Sequence, residues 1–343
     1  FNAVMHAYQY TGITFERQHK YFNDLPPFIM YGLCLGIHIT LCYGLEVVLY
    51  PKYDAVDFPK QFMKYRPNHF SASADHLKYL SADRRLQKKN LSYLITAGMG
   101  GDMLDQKLEM SVNQYLLNHG CKFEVIKGYG MTELSATAIL SSPKANAVGS
   151  AGIPLVHNIV KIMDTENHTE LSYNETGELW VSGPSVMLGY YQKPEETDSI
   201  ISVDESGVRW VHTGDLGYMS EDGLLFIEGR IRRIYVTSYE GQPAKIFPML
   251  VEKVLRQSPE IRECSVVGRK QKNSDFYEVV AFIVRDEKYE NAVDIKNLKD
   301  LCAESLPVYM IPVEFRFINA LPHTPIGKID FRALEREAER QAR

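Results

Sequence analysis

Three short segments combine residue types that could handle a phosphorylated, sugar-bearing ligand. Gly128-Tyr129-Gly130-Met131-Thr132-Glu133 joins two glycines, which let a backbone approach a ligand closely, to an aromatic face on which a base could stack. Thr132 offers a hydroxyl to a phosphate, and Glu133 a hard oxygen ligand for Mg2+. The same residues also read as a tight turn with an aromatic plug. His212-Thr213-Gly214-Asp215 is followed at a distance by Gly229-Arg230. The Asp215 carboxylate can accept two hydrogen bonds from a vicinal diol, which suits a ribose, and Arg230 is a planar donor suited to a ribose oxygen or a phosphate. A turn aspartate and a surface arginine are the plain alternative. In Leu321-Pro322-His323-Thr324-Pro325-Ile326-Gly327-Lys328, two prolines and a glycine make a rigid loop with Lys328 at its tip. Against a reacting carboxylate and an α-phosphate, a compact ammonium would offset the repulsion between two anions; otherwise it is an exposed lysine.

The elements that must hold these segments are partly legible. A βαβ unit is expected between Ser92 and Lys127: a strand over 91–96, a helix over 103–119 and a return strand over 123–127. The helix carries Leu104, Leu108, Val112 and Leu116 on one face, with Asp102 as N-cap and Gly120 as left-handed stop. A unit of this length implies a parallel pair with a right-handed crossover. Ligands gather at the carboxyl ends of such strands, so 97–101 and 128–133 should share one rim. From 151 to 229, short strand candidates (179–181, 224–227) follow the turn signals Gly177-Glu178 and Asp222-Gly223. From 230 onward, helices over 248–257 and 294–304, strands over 264–267, 279–284 and 315–318, and a charged helix over 330–343 indicate a compact α+β lobe. The expected fold is therefore α/β: residues 1–229 as part of a large domain of βαβ units plus a β-rich subdomain, then a small α+β lobe over 230–343.

Composition narrows the partners. With 343 residues there is chain for about two domains. A net charge of −5 leaves no basic excess for nucleic acid. Five scattered cysteines without CxxC pairing fit reduced thiols in the cytoplasm. Residues 28–50 are apolar but contain His38, Gly44 and Glu46. They read as a buried helix and a strand over 46–50, ended by Pro51, and not as a membrane span. The chain begins at Phe1, and 1–10 look like the middle of a domain, so a fragment is expected.

In this order the three motifs resemble the adenylate-forming superfamily of acyl-CoA synthetases, peptide-synthetase adenylation domains and luciferases. Gly177-Glu178-Leu179, Gly183, Gly189-Tyr190, Ile311-Pro312 and Leu334-Glu335 extend the likeness over nearly the whole chain. The resemblance implies that Tyr129 stacks on adenine beside Gly130, that Thr132 and Glu133 serve the phosphates and Mg2+, and that Asp215, with Arg230 beside it, holds the ribose. Gly100 and Gly101, within the glycine-rich 98–101, would pass along the adenine. Lys328 would be the lysine of the adenylation half-reaction, carried by a mobile C-terminal lobe hinged near 229–233. Four departures stand out. The phosphate loop should lie upstream of Phe1; Arg232 occupies the hinge position usually held by Asp or Lys; 239–245 differs from the glycine loop of the thiol tunnel, with Gly241 as its nearest counterpart; and Ile29 stands near the place of a common His. Tyr31, Gly32, Met99 and Ala136 would line the acid pocket.

The resulting expectation is a ligase that activates a small-molecule carboxylic acid with ATP and Mg2+ as acyl-AMP and passes the acyl group to coenzyme A, in a cytoplasmic protein whose assembly allows a homodimer. Two alternatives stand beside it. An adenylation enzyme could load a carrier-protein thiol, although no carrier domain follows Arg343. A protein of this fold could instead bind nucleotide without catalysis, against which Lys328, Glu133 and Asp215 argue. A dehydrogenase is disfavoured because no GxGxxG lies between a strand and a helix.

Overall fold

The computed structural model describes residues 13–50, 52–272, 274–286, 289, 294–324 and 329–340. The expectations for 1–10, Pro51 and Lys328 fall outside them. The chain forms two compact units, Phe1–Ile227 and Glu228–Arg343.

The first unit is built on a seven-stranded sheet in the order β2-β1-β3-β4-β5-β6-β7. Its strands are β1 (Lys20–Asn23), β2 (Glu46–Leu49), β3 (His69–Ala72), β4 (Thr96–Gly100), β5 (Ile126–Tyr129), β6 (Ile139–Leu140) and β7 (Ile153–Pro154). The first five pair in parallel, while β6 and β7 pair antiparallel. The crossovers carry α1 (Tyr31–Ile39, wound in wide π-type turns and running on through Thr40–Cys42), α2 (Phe58–Tyr65), α3 (Ala74–Ala82) and α4 (Gln106–Asn118). Phe22, Phe58, Phe62, Phe70, Leu77 and Leu116 fill a core between sheet and helices. Residues 28–50 thus form a helix and a strand, and among the described residues no helix is long and apolar enough to cross a membrane.

Strand order reverses at β1, the place where open α/β sheets form a ligand crevice. There Asp24 Oδ2 meets His76 Nε2 at 2.9 Å, and His76 Nδ1 meets Ser73 Oγ at 2.8 Å. The Ser73 N–H also donates to Nδ1 at 3.1 Å, so Nδ1 is the acceptor and Nε2–H the donor to Asp24. This capping box ties the start of α3 to the end of β1.

All three elements of the βαβ unit differ in their bounds from expectation, the return strand running over Ile126–Tyr129 and not 123–127. Leu91 and Leu94 are core residues, but they sit in a turn closed by Leu94 N–H to the Leu91 carbonyl, and the strand begins only where Thr96 reaches its partner His69. Burial marked the core correctly and misplaced the strand. The glycine-rich 98–100 consequently lies inside β4. The helix starts later, because Asp105 and not Asp102 accepts from the N–H groups of Lys107 and Leu108 at 3.0 and 3.1 Å. Gly120 does take a left-handed conformation just beyond the helix.

The β-rich part is a five-stranded sheet of β8 (Ile159–Met163), β9 (Gly177–Ser182), β10 (Ile201–Val203), β11 (Arg209–Met219) and β12 (Leu225–Arg230), with a short helix α5 (Pro194–Asp198). Gly177 and Glu178, expected in a turn, are the first residues of β9, paired with Gly217 and Leu216. A long cross-strand partner in β11 overrides the local turn preference of Gly.

In the second unit, β13 (Tyr235–Tyr239) and β14 (Gln242–Ile246) form a hairpin. Its loop residues Glu240 and Gly241 both have positive φ, as a primed two-residue turn demands. The segment compared above with a thiol-tunnel glycine loop is therefore a regular β-hairpin. A second sheet of β15 (Ile261–Lys270), β16 (Tyr277–Arg285) and β17 (Glu314–Phe317) is flanked by α6 (Pro248–Leu255), α7 (Ile295–Ser305) and α8 (Phe331–Arg340). Along β16, Val279, Ala281 and Ile283 join the core with α6 and α7, while Val280, Phe282 and Val284 join that with α8. This is the period-2 alternation of a strand buried on both faces.

Each unit holds a buried charge that ties its parts together. In the first, Lys127 on β5 bonds Glu109 on α4 and the Ala147 carbonyl at 2.6 Å, while Glu109 accepts the Gly149 N–H at 2.9 Å. In the second, Glu252 accepts from Arg233 at 2.5 Å and from the Val266 N–H at 2.9 Å. Removing one partner leaves the other charged and buried, which costs about 3–5 kcal/mol. Lys127→Met should therefore lower thermal stability strongly, and Lys127→Met/Glu109→Gln should recover part of the loss in a melting experiment. Glu252→Ala should likewise destabilise the second unit, read as a lower denaturant midpoint with the slope unchanged.

Candidate nucleotide site

The carboxyl ends of β4 and β5 lie side by side, with Gly100 paired to Gly128. A side chain at Gly100 would begin 3.3 Å from both the Gly128 carbonyl oxygen and the Tyr31 ring. The ring of Tyr31 therefore lies against bare backbone, and its hydroxyl donates to the Ala72 carbonyl at 3.4 Å. Burial raises the phenol pKa of Tyr31 well above the usual range. Gly101 follows β4 with φ +83°.

Beyond β5 the chain doubles back at once. A Cβ at Gly130 would fall 1.6 Å from the Ala136 carbonyl oxygen, a space that only hydrogen can occupy. Met131 is extended, Thr132–Leu134 form one tight 3-10 turn, and Ser135 and Ala136 follow with φ +55° and +88°. Such backbone is strained for non-glycine residues. It is retained by the bond from the Ala136 N–H to the Met131 carbonyl, by Ser135 Oγ donating to the Ser185 carbonyl at 2.9 Å, and by the fully buried Leu134. The result lifts Thr132 into the open and leaves Glu133 half-buried beside it.

Asp215 comes to this turn from the other sheet. The ladder between β9 and β11 slips between His212 and Leu216, so Thr213-Gly214-Asp215 bulges out of register. The bulge is pinned from behind: Thr213 Oγ1 donates to the Leu179 carbonyl at 2.8 Å, and the Gly214 N–H donates to Glu178 Oε1 at 2.9 Å. The other Glu178 oxygen accepts from Trp180 Nε1 at 2.9 Å, and His212 stacks on that indole at 3.8 Å and 10°. Burial pushes the His212 imidazole below its usual pKa. Asp215, only 3% exposed, accepts the Tyr129 hydroxyl at 2.7 Å. A flat ring and a buried carboxylate are thus fixed to one another.

Gly100, Gly101, Tyr129, Gly130, Thr132, Glu133 and Asp215 all belong to the first unit. Arg230 ends β12 and Arg232 lies in the short 3-10 turn Ile231–Arg233; both are exposed and both belong to the second unit. Lys328 is outside the described residues. Two further residues at the site were read only as parts of sequence motifs: Glu178, which pins the bulge, and Tyr190, whose hydroxyl donates to Glu133 Oε1 at 2.5 Å. Their motif positions were visible in sequence, but their partners are 36 and 57 residues away. As a metal site, a carboxylate and a hydroxyl on one turn suit Mg2+, which takes one or two protein oxygens and completes its shell with phosphate and water. Among the described residues there is no group of three or more His, Cys, Asp or Glu that could hold a metal ion.

The family model for AMP-binding enzymes matches residues 1–191, more than half of the chain, and that for the AMP-binding enzyme C-terminal domain matches residues 250–328. The chain is 30% identical to a probable 4-coumarate–CoA ligase of Dictyostelium discoideum, over 96% of this chain and 58% of that protein. It is also 30% identical to a long-chain-fatty-acid–CoA ligase of Bacillus subtilis, over 94% of this chain and 55% of that protein. It superposes on o-succinylbenzoate CoA synthetase of Bacillus subtilis in complex with the acyl-adenylate intermediate OSB-AMP with a TM-score of 0.78 and 27% identity, covering 98% of this chain and 64% of that one. The chain thus spans little more than half the length of the curated relatives it matches. Its mixed α/β architecture, a large unit followed by a small one, is that of adenylate-forming enzymes, and with the matched models it places the chain in the family of AMP-binding enzymes.

Proposed function

We propose that the protein activates a carboxylic acid with ATP as acyl-AMP and transfers the acyl group to coenzyme A. The observation that carries this reading is the Tyr129–Asp215 hydrogen bond at the end of β5, next to the paired Gly100 and Gly128. It holds a stacking face for adenine and an acceptor for the ribose diol at fixed spacing, one turn from Thr132 and Glu133. The relatives named CoA ligases, and the neighbour bound to an acyl-adenylate, support the same chemistry.

A carboxylate oxygen attacks the α-phosphorus of ATP and pyrophosphate leaves. The thiol sulfur then attacks the acyl carbon, AMP leaves, and the thiol proton passes to solvent. The protein contributes position and charge, since the reacting groups need no acid or base of high strength. Thr132 and Glu133 would hold Mg2+ with the phosphates, and the bound ion would neutralise charge developing on the departing pyrophosphate. Asp215 orients the ribose, and Arg230 is assigned a donor role toward a ribose oxygen or a phosphate. Lys328 offsets the repulsion between carboxylate and α-phosphate. We place the domain boundary at 229/230, with Arg232 as hinge; the two compact units divide at 227/228. The compartment proposed is the cytoplasm, where the five free cysteines stay reduced.

ATP–pyrophosphate exchange with a panel of carboxylic acids tests the reading, on this chain and on a form extended upstream. Exchange should require one class of acid, fall by about 100-fold or more in Lys328→Ala, and fall at least about ten-fold in Asp215→Ala as the ribose loses a charged acceptor. Coenzyme A should then consume the adenylate. A requirement for a carrier protein, with coenzyme A inert, would replace the acceptor. Binding of ATP without exchange under any condition would sink the ligase.

A further inference from the structure

The turn that presents Glu133 is clasped by the segment 183–197, which runs from the end of β9 into α5. The Met187 N–H donates to the Glu133 carbonyl at 2.9 Å, and the Tyr190 hydroxyl donates to Glu133 Oε1 at 2.5 Å. The clasp is itself braced. Arg209 donates to the Leu188 carbonyl at 2.9 Å, the Tyr190 N–H donates to Thr197 Oγ1 at 2.9 Å, and that hydroxyl donates to the Lys193 carbonyl at 2.9 Å. In the run Leu188-Gly189-Tyr190-Tyr191, Leu188 is 94% and Tyr191 86% exposed, whereas the ring of Tyr190 turns inward to the carboxylate. Gly189 has φ +153°, a conformation that lets the chain reverse the direction of its side chains here.

A lone carboxylate on a short turn rotates freely about its last bond. A phenol hydroxyl bonded to one of its oxygens is a charge-assisted contact that removes this freedom. It engages Oε1, so that Oε2 is the carboxylate oxygen that Tyr190 does not take up. Residues that orient a metal-binding carboxylate in this way set the affinity for the ion without touching it. We infer that Tyr190 is a positioning residue, whose hydroxyl fixes one oxygen of Glu133 so that the other is aimed at a divalent cation arriving with the nucleotide. This inference rests on the function proposed above for Glu133.

The probe is Mn2+ with ATP held constant, followed by the electron paramagnetic resonance signal of free Mn2+ on the protein itself. Tyr190→Phe should weaken Mn2+ binding roughly ten-fold, while Tyr191→Phe, one residue away, leaves it unchanged. Glu133→Gln should weaken it at least as much, and Tyr190→Phe/Glu133→Gln should be no weaker than Glu133→Gln alone, because Tyr190 acts through Glu133. Melting curves verify that each variant is folded. Should Tyr190→Phe not fold, Thr197→Val, which releases the Tyr190 N–H from its brace, should produce a smaller weakening in the same direction. Wild-type Mn2+ affinity in Tyr190→Phe overturns the inference, as does a further ten-fold loss in the double variant or a wild-type protein without a Mn2+·ATP site. The two readings fail separately. A Tyr190-dependent Mn2+ site in a protein that exchanges pyrophosphate with no acid keeps this inference and removes the ligase. Exchange with unaltered Mn2+ binding in Tyr190→Phe does the reverse.

Discussion

At Gly130 the chain passes its own backbone with no room for a side chain, and the candidate site is built around that crossing. Because the Ala136 carbonyl fills the place of a Cβ, β5 can reverse within a few residues and return as β6. The reversal leaves Thr132 and Glu133 on a single tight turn and keeps Tyr129, the last residue of β5, on the adjoining rim. Strain at Ser135 and Ala136 accompanies this tight path. It is tolerated because Leu134 is anchored in the core of the β-rich sheet and Ser135 is bonded to Ser185. A looser turn would avoid the strain and separate the Thr132 hydroxyl and Glu133 carboxylate from the Tyr129 ring.

The opposing half of the site obeys a different constraint. Asp215 is nearly buried, and a buried carboxylate requires hydrogen bonds. It obtains one from Tyr129 because the β9–β11 ladder slips at Thr213 and Gly214, which turns the carboxylate toward the first sheet. Glu178 makes that slip stable by binding the Gly214 N–H that the ladder abandons. One buried acid thus supports the bulge that presents another. The arrangement couples two sheets of different topology: parallel strands supply paired glycine backbone and the Tyr129 ring, and antiparallel strands supply the buried carboxylate.

The second unit is ordered by the same economy of buried charge. Glu252 gathers Arg233 and the Val266 N–H, while the Arg233 guanidinium also lies 3.8 Å over the Phe331 ring. Arg233 is thereby anchored within its own unit and the adjacent Arg232 stays exposed. Neighbouring arginines with the same charge therefore differ in burial, because Arg233 is held by a buried acid whereas Arg232 is exposed.

Local sequence determined much of this protein. The glycine-tyrosine-glycine segment, the Thr-Gly-Asp segment and the prolyl loop are recognisable because the chemistry needs particular side chains at short spacing. The α4 helix is legible because apolar residues repeat at 3.6, and the β16 strand because 279–284 form a short continuous apolar run. Tertiary structure decided what depends on distant partners. The start of β4 is set by its register with β3 and not by the burial of Leu91 and Leu94, which a turn satisfies equally well. Glu178 reads as a turn residue until β11 lies beside it. Tyr190 and Tyr191 are the same residue type at adjacent positions, and only the fold of the clasp brings one to Glu133 and leaves the other in solvent. Side-chain identity and short spacing are properties of the chain, whereas which of two like residues meets a charge some 57 positions away is settled only when the strands pair.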